Sequence, residues 1–468
     1  MIIEEWFTNK RYHMTDLEGT TRRLLEKKWE KKAIINKLVE EYLVYKELTR
    51  EQASQLAQAV WEECNKSAYS GNDPLITEIL EIPASKVTIG EQGVGCRGIG
   101  DFFVHKLIGE VSSTSTEAYL SPKSLDDAGA VKIPPNFSSS PDLLVISKME
   151  GLHSRLSDFP FLAGFHVTRA GLRDIYVKGA VPISIMVDIH LGDDADIGKL
   201  FDFMAGVSTV AELVNVPITA GSTLRIGGDM VIGTRITGGI AVVGLAKAVL
   251  ARRNIAVGDK ILMTEGAGGG TISTTAIYTG NHDALKATLN VKFLTAVKTI
   301  LNSEYLPHIR SMSDVTNGGL RGDLHEIIFE SKTGVEISIS KVEALVDPLI
   351  MELLKKTKVD YLGISLDALL LFVSPQVALK IVQLVEKLGI KILEIGQVTD
   401  SRRVLFKSPT GESFIMPRFR ESAYTPIKKV IGEENPLKQN EMEKKIERSA
   451  EQSLKKREKI LRYIRNLQ

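Results

Sequence analysis

The chain has few cysteines, few aromatic residues and no long hydrophobic run. Its 468 residues include two cysteines, Cys64 and Cys96, and aromatic residues make up 6% of the total. Two distant cysteines form neither a disulfide framework nor a cysteine-based zinc site within one subunit, which is typical of a reducing compartment. No apolar stretch is long enough to span a bilayer, and the acidic, aromatic N-terminus differs from a signal peptide. We therefore expect a cytoplasmic protein without membrane contact.

An excess of one charge sign is also missing. The chain carries 59 Lys and Arg against 58 Asp and Glu, a net charge of +1, so its overall charge gives no reason to expect a nucleic-acid partner. Hydrophobic residues make up 43% and charged residues 25%, which is ordinary for a globular protein and excludes a disordered or collagen-like chain. The length exceeds that of a typical domain, about 100–200 residues, so more than one domain is expected.

Several common catalytic motifs are absent. The sequence contains no GxxxxGK[ST] loop, no HExxH pair and no GxSxG elbow. These absences exclude P-loop nucleotide chemistry, a zinc protease of the HExxH type and a serine hydrolase built on that elbow. The eight histidines are scattered along the chain, so they do not predict a metal site.

Residue periodicity divides the chain into four predicted parts. Residues 1–83 have apolar residues three and four apart and predict a helical extension, with Thr49 and Gln52 typical of a helix start. Residues 84–251 and 252–415 alternate strand and helix patterns and predict two α/β domains. Residues 430–468 predict a charged helical tail. The predicted strands are 143–147, 183–189, 231–237, 240–243, 260–264, 309–313, 335–339, 369–373 and 391–398, and the predicted helices are 197–213, 284–301, 320–331, 347–356 and 377–388.

A glycine-rich segment at 93–98 fits the pattern GxGxxG. A dinucleotide-binding unit would also need a second strand ending in an acid about twenty residues further on, and the chain has SSTSTEAYLSPKS there. We therefore favour a phosphate-facing loop formed by Gly95 and Gly98, with Arg97 and Lys106 supplying positive charge. A purely structural turn, with both cations on the surface, is the other interpretation.

Aspartates next to small residues recur at three places that the sequence pattern predicts to be loops. They are Asp126 with Asp127, Asp174 ahead of the turn at Gly179, and Asp314 ahead of a predicted helix. Mg²⁺ prefers oxygen ligands and usually bridges carboxylates to substrate phosphates, so distant loop aspartates suit a magnesium–nucleotide site. Each aspartate also has a simpler interpretation as a turn or helix-cap residue.

The order of these segments over residues 84–410 resembles one superfamily. It includes aminoimidazole ribonucleotide synthase, formylglycinamide ribonucleotide amidotransferase, thiamine-monophosphate kinase, selenophosphate synthetase and the hydrogenase-maturation carbamoyl dehydratase. The segments that carry the resemblance are LDDAGAV (125–131), LLVISKMEGLHS (143–154), AGLRDIYVKGAVPISIMVDIHL (170–191), ITAGSTLRIGGDMVIGTRITGG (218–239), VGDKILMTEGAGGG (257–270), MSDVTNGGLRGDLHEI (312–327), GISLDALLLFV (363–373) and GIKILEIGQV (389–398).

The resemblance implies an α/β (α+β) chain with the two-domain aminoimidazole ribonucleotide synthase-like fold. In that fold the N-terminal domain pairs with a second subunit to form a dimer β-barrel, and ATP with Mg²⁺ lies near the dimer interface. The implied chemistry is transfer of a phosphoryl group to an oxygen of a small-molecule acceptor. We therefore expect a homodimer. The metal ligands expected from the matched positions are Asp126, Asp127, Asp174 and Asp314, the catalytic residues are Asp174 and Lys148, and the cofactor-binding residues are Gly95, Arg97, Gly98, Lys106, Gly179, Gly221, Thr223, Gly318 and Gly319.

Two positions depart from the pattern of the superfamily. Lys148 stands where relatives place an aspartate, and Ser222 stands where relatives carry the acid of a GGDT or GGET segment. One hypothesis is that Lys148 contacts phosphate directly. The departures also favour an alternative, a non-catalytic nucleotide-binding or interaction protein on the same fold. A dinucleotide-binding oxidoreductase, which rests on the glycine segment alone, is a distant third interpretation.

Overall fold

The computed structural model describes most of the two predicted α/β domains and the three helices ahead of them. The described residues are 17–45, 48–73, 76–77, 80, 144–192, 195–226, 234–315, 318–411, 413–415 and 423–431. The glycine segment, the acidic pair at 126–127 and most of the charged tail lie outside these ranges. None of the helices in the described ranges has both the length and the apolar composition needed to cross a membrane.

The N-terminal extension is a three-helix unit with its own small core. Helices α1 (Leu17–Glu26), α2 (Lys31–Tyr45) and α3 (Arg50–Ser67) pack together. The Thr49 hydroxyl accepts a hydrogen bond from the backbone N–H of Gln52, and the Gln52 side chain accepts one from the backbone N–H of Thr49, so the predicted helix start is confirmed. The buried core side chains are Leu24, Ile34, Leu38, Val39, Tyr42, Ala53, Ala57, Val60 and Cys64.

A four-stranded sheet follows the extension. Its strands are β1 (Leu144–Gly151), β2 (Val181–Gly192), β3 (Ile218–Ile226) and β4 (Ile236–Ala246). The spatial order is β1-β4-β2-β3, in which β2 and β3 run parallel and the other neighbours run antiparallel. Because β1 and β3 are the outer strands, they lie three strand spacings apart, roughly 14 Å.

Two long helices cover one face of this sheet. Helix α4 (Pro160–Val177) contacts α5 (Gly198–Val214) and lies over β1 and β4. The two helices approach closely at glycines, since a Cβ added to Gly164 would lie 2.1 Å from the Phe203 carbonyl oxygen. Gly206 makes the reciprocal contact with the Phe161 carbonyl, also at 2.1 Å. The packing therefore requires glycine at both positions.

The second half of the chain contains the strands β5 (Lys260–Thr264), β6 (Ile309–Asp314), β7 (Gly334–Ser338), β8 (Leu369–Val373), β9 (Ile392–Thr399), β10 (Val404–Lys407) and β11 (Ser413–Ile415). Its α-helices and the last described helix are α6 (Gly270–Tyr278), α7 (Leu285–Thr288), α8 (Lys292–Leu301), α9 (Gly319–Ser331), α10 (Ile339–Glu343), α11 (Pro348–Thr357), α12 (Ala378–Glu386) and α13 (Pro426–Ile431). The seven strands form a second sheet in the order β11-β10-β7-β9-β5-β8-β6. All five side chains of its β8 are buried. Helix α4 also contacts β6 and α8, so it lies between the two sheets.

The expectation of a mixed α/β chain is confirmed, and the predicted strands at 260–264 and 369–373 coincide with β5 and β8. The helix predicted over 284–301 is wrong in one respect, because the chain breaks between α7 and α8. Asn290 accepts a hydrogen bond from the backbone of Lys292 and donates one to the carbonyl of Ala287, and such local bonds compete with the helix.

The loop predicted around Asp174 is also wrong. Asp174 lies in the last turn of α4, and the turn begins only after Val177. Asp314, predicted in a loop, is the last residue of β6. Both carboxylates are therefore carried by regular backbone, which fixes their positions more firmly than a loop would.

A network of charged groups joins the helical extension to the rest of the chain. Glu63 of α3 is fully buried and pairs with Arg155, which also lies 3.4 Å from Glu18 of α1. Arg155 stacks 4.0 Å above the ring of Tyr278, whose hydroxyl donates to the Arg155 carbonyl. Burial raises the pKa of Glu63, while Arg155 acts against that shift. Arg155 thus contributes two ion pairs to the attachment of the extension and is itself held by a ring contact and a hydrogen bond.

Replacing Arg155 should destabilise the protein strongly. Arg155→Met leaves the buried carboxylate of Glu63 without its ion-pair partner, so we expect the free energy of unfolding to fall by about 3–5 kcal/mol in urea titrations. The matched control is Arg50→Met, which removes an exposed ion pair with Glu40 in the same extension and should change stability by about 0–1 kcal/mol. Equal effects of the two substitutions would contradict this account.

Neutral histidines lie where β1 ends against α6. His153 shares a hydrogen bond of 3.0 Å with the hydroxyl of Tyr424. Burial lowers the pKa of His153 to about 4, and the charges of Arg155 and Lys428 add to that shift. His166 shares a 2.7 Å hydrogen bond with Ser273, and its pKa is also lowered by burial. Both rings are therefore uncharged in the folded chain at neutral pH.

Acid should weaken the fold through these rings. His153 binds a proton near pH 6.5 when unfolded but near pH 4 when folded, so the stability it supports above pH 6.5 is lost as the pH falls toward 4. Between pH 6.5 and pH 4, the free energy of unfolding of the wild type should fall more steeply than that of His153→Asn. The difference in slope should be about 1.4 kcal/mol per pH unit. Urea titrations from pH 7 to pH 4.5 measure the difference, and parallel curves would refute the assignment.

Candidate functional site

A pocket of about 580 Å³ lies where α4 passes from the four-stranded sheet to the seven-stranded sheet. Strand β1, the end of α4, the segment 249–253 and the end of β6 form its walls. Because these elements belong to both sheets, the pocket exists only when the two sheets are docked. Its charged side chains are Lys148, Asp174, Lys178, Arg252, Arg253 and Asp314.

Lys148 is held on one wall by two carboxylates. Its Nζ lies 2.7 Å from Oδ2 of Asp174 and 3.2 Å from Oε2 of Glu150. Lys148 and Glu150 are two residues apart on β1, so they project from the same face of the strand. Partial burial acts to lower the pKa of Lys148, but the two carboxylates outweigh it and raise that pKa. The ammonium therefore stays charged.

Asp314 is buried at the back of the pocket. Its Oδ2 lies 3.1 Å from Nε of Arg173, and the side chain is 6% exposed. Burial raises the pKa of Asp314, the nearby Asp174 adds to that shift, and Arg173 opposes it. Asp314 and Asp174 are thus close enough for the charge of Asp174 to affect the pKa of Asp314.

Behind Asp314, two arginines of α4 share a single carboxylate. Arg173 and Arg169 each pair with one oxygen of Asp367, which lies just before β8. Arg169 also donates a 2.7 Å hydrogen bond to the carbonyl of Thr288. Asp367 has a left-handed backbone conformation (φ 56°), which aspartate tolerates better than most residues. These pairs fix α4, and with it Asp174, against the second sheet.

The other charged side chains that line the pocket are cationic. Lys178 follows α4, and burial together with the charge of Arg252 lowers its pKa. Arg252 and Arg253 lie on a short 3₁₀ turn after the four-stranded sheet. Four cationic and two acidic side chains line the pocket, which leaves a formal charge of +2. Such a pocket favours an anion.

The structure brings together some of the predicted site residues and separates others. Lys148, Asp174 and Asp314 share the pocket. Gly221 and Thr223 lie on β3, at the opposite edge of the four-stranded sheet from β1. The other predicted positions, Gly95, Arg97, Gly98, Lys106, Asp126 and Asp127, lie outside the described residues.

Three predicted glycines form the turns beside the pocket. Gly179 has a φ of +83° directly after α4 and Lys178, and Gly318 caps α9 with a φ of +107°. Gly319 has a φ of +65°, and a Cβ there would lie 2.3 Å from the carbonyl oxygen of Leu362. Their backbone conformations therefore explain why glycine stands at these positions, whatever ligand the pocket takes.

Within the described ranges, no group of three or more His, Cys, Asp or Glu side chains is placed to hold a metal ion. The two acids that line the pocket are each paired with a cation of the chain, Asp174 with Lys148 and Asp314 with Arg173. These two carboxylates do not by themselves fit a Mg²⁺ site.

Sequence reasoning missed the cations and the arginine pair. Lys178, Arg252 and Arg253 give no pattern that separates them from surface charges. Arg169 and Arg173 do give a signal, because two arginines four residues apart in a strongly apolar segment need buried carboxylate partners.

Comparison with known proteins adds to this geometry. Two family models, described as the N-terminal and C-terminal domains of AIR synthase related protein, match this chain. The N-terminal model matches residues 125–246 and the C-terminal model matches residues 256–407. A protein of Methanocaldococcus jannaschii, described as uncharacterized, is 42% identical over 458 residues, or 97% of this chain and 99% of that protein. A selenide, water dikinase of Myxococcus xanthus is 25% identical over 252 residues, or 53% of this chain and 66% of the dikinase.

Solved structures share the fold. The hydrogenase maturation protein HypE in complex with ATP aligns with a TM-score of 0.54 at 14% identity and covers 69% of this chain and 96% of HypE. HypE of E. coli aligns with a TM-score of 0.53 at 17% identity and covers 68% of this chain and 96% of its own length. The two domain matches, which together cover more than half of the chain, show that it belongs to the AIR synthase related family.

Proposed function

We propose that this chain is an ATP-dependent phosphoryl-transfer enzyme that activates an oxygen of a small metabolite, with Mg²⁺ accompanying the nucleotide. The observation that carries the proposal is the cationic pocket between the two sheets. Family membership supports it, because one relative is a dikinase by name and HypE, which shares the fold, was solved in complex with ATP. Phosphoryl transfer depends mainly on positioning and charge neutralisation, which is what such a pocket supplies.

The pocket residues suit the phosphates of a nucleotide. Arg252 and Arg253 present planar guanidinium groups, which match phosphate oxygens in pairs, while Lys178 adds a point charge. Asp174 and Lys148 face the same space from α4 and β1, and we assign them the catalytic positions. Gly179, Gly318 and Gly319 shape the adjoining turns, and the glycine segment at 93–98 is proposed to complete the phosphate contacts.

Mg²⁺ supplies positive charge between the phosphate oxygens when it is bound with the nucleotide. We propose Asp126 and Asp127, which lie outside the described residues, as ligands of this ion. The other two expected ligands, Asp174 and Asp314, are already paired with Lys148 and Arg173. The role of this chain's described residues is to bind and orient the phosphates.

A non-catalytic nucleotide-binding protein is the second candidate. The ion pair between Lys148 and Asp174 favours it, because a carboxylate paired with a lysine is less available for catalysis. The two candidates differ in turnover. Slow formation of ADP that Asp174→Asn abolishes indicates the enzyme, and stable binding of unchanged ATP indicates the binding protein.

We also propose that two copies pair through the outer face of the four-stranded sheet. Val145 and Met149 of β1 are 65% and 72% exposed on that face, and Leu224 of β3 is 47% exposed. Met149 lies opposite Ala241, which lies opposite Met186, so a row of apolar side chains crosses three strands. Burial of such a face against a second copy is favourable, and the resemblance implies a barrel formed in this way.

The nucleotide proposal predicts that Arg252→Ala weakens ATP binding at least about tenfold, because a charge-assisted hydrogen bond to phosphate is lost. Isothermal titration calorimetry with and without Mg²⁺ measures the affinity. The matched control is Arg310→Ala, an exposed arginine of β6 outside this pocket, which should bind ATP like the wild type. A wild type without affinity for ATP would overturn the proposal.

The dimer proposal predicts that Met149→Glu shifts the chain to a monomer. Placing a charge in the apolar row costs desolvation on both subunits, so the mass measured by light scattering should fall from twice 51.5 kDa to 51.5 kDa. The control is Leu379→Glu, which changes a leucine that is 68% exposed on α12 and should leave the mass unchanged. A monomeric wild type would contradict the proposal.

A further inference from the structure

The carboxylates beside Lys148 are arranged as they would be around a cation. Asp174 comes from α4 and Glu150 from β1, and their oxygens lie 2.7 Å and 3.2 Å from the same nitrogen. All three side chains are partly buried, at 25%, 34% and 38% exposure for Asp174, Glu150 and Lys148. A positive charge of the chain itself thus lies between two acids at the edge of the phosphate pocket.

An ammonium and a divalent metal ion compete for this position. Mg²⁺ binds carboxylate oxygens at about 2.0–2.1 Å in octahedral geometry, so an ion on Oδ2 of Asp174 would lie within a few ångströms of the Lys148 nitrogen. Two positive charges that close repel each other strongly in a partly buried site. The lysine and the metal ion therefore exclude each other at Asp174.

The second acid of the pocket is not open to a metal ion either. Asp314 pairs with Arg173, and Arg173 is held in turn by Asp367. Movement of Arg173 away from Asp314 would leave buried charges unpaired, which is costly. Each carboxylate that lines the described pocket thus has a cation supplied by the chain.

We propose that Lys148 is a tethered cation that occupies the place of a divalent metal ion between Asp174 and Glu150. This inference deepens the proposed function and rests on it for the identity of the ligand. The lysine supplies one positive charge at a fixed point, and its third N–H suits a phosphate oxygen. The pocket then needs fewer metal ions to bind a polyphosphate than it would with a neutral or acidic residue at position 148.

Counting bound Mn²⁺ by electron paramagnetic resonance tests the inference without any nucleotide. In the full chain, Lys148→Gln should bind Mn²⁺ at one site at least about tenfold more tightly than the wild type, because the competing charge is gone. Lys148→Arg keeps the charge and should behave like the wild type. The double variant Lys148→Gln with Asp174→Asn should lose the gain, which places the new ion at Asp174.

Two results would overturn the inference. One is an Mn²⁺ isotherm of Lys148→Gln that matches the wild type. The other is a wild type that binds Mn²⁺ tightly and loses it in Asp174→Asn, since Asp174 would then already be a metal ligand. Circular dichroism melting curves confirm that each variant is folded, and if Lys148→Gln is unfolded, Lys148→Met replaces it with the same expected result.

A second measurement separates this inference from the proposed function. Replacing Mg²⁺ by EDTA should weaken ATP binding at least about tenfold more in Lys148→Gln than in the wild type, because the variant loses the tethered charge as well as the ion. If Mg²⁺ changes the ATP affinity of the wild type and of Lys148→Gln equally, the tethered-cation inference is refuted but the nucleotide proposal is not. Absence of ATP binding in both refutes the nucleotide proposal, while the Mn²⁺ counts still decide the role of Lys148.

Discussion

The candidate site depends on the buried pairing of Arg169 and Arg173 with Asp367. The arginines belong to the helix that covers the first sheet, and the aspartate belongs to the second sheet. Buried charges are tolerated only when they are paired, so any docking of the two halves that separates these groups is strongly disfavoured. Asp174 follows Arg173 on the same helix, and Asp314 touches Arg173. The position of both pocket acids therefore follows from a contact that itself lies outside the pocket.

Much of the strand and helix pattern could be predicted from the sequence, because amphipathic and β-branched segments have a clear periodicity. Helix α4 could not, since nearly all of its residues are buried and no polar face marks one side. Its buried His166, Thr168, Arg169 and Arg173 also interrupt the apolar pattern. The sequence shows the motif that contains Asp174, but the glycine turn after Val177 is the stronger local signal and predicts a loop there.

The site was predictable only in part for a related reason. Lys148, Asp174 and Asp314 stand in motifs, and the structure places them in one pocket. The partner of Arg173 is 194 residues away in sequence, and no local pattern relates the two. A sequence motif also identifies a residue without showing which side chain it pairs with. Asp174 matches an acid of the superfamily pattern, yet the ammonium 2.7 Å away gives it a different electrostatic setting from that of an unpaired acid.

The three-helix extension meets the rest of the chain largely through charge, although its own interior is hydrocarbon. Arg155 lies between Glu18 and Glu63, while Arg22 and Lys199 both approach Asp158. Hydration of ions becomes less favourable on heating, so the cost of burying such a network falls as the temperature rises. Contacts between apolar surfaces gain little more over the same range. Warming therefore weakens this charged junction less than it would weaken an apolar junction of the same size.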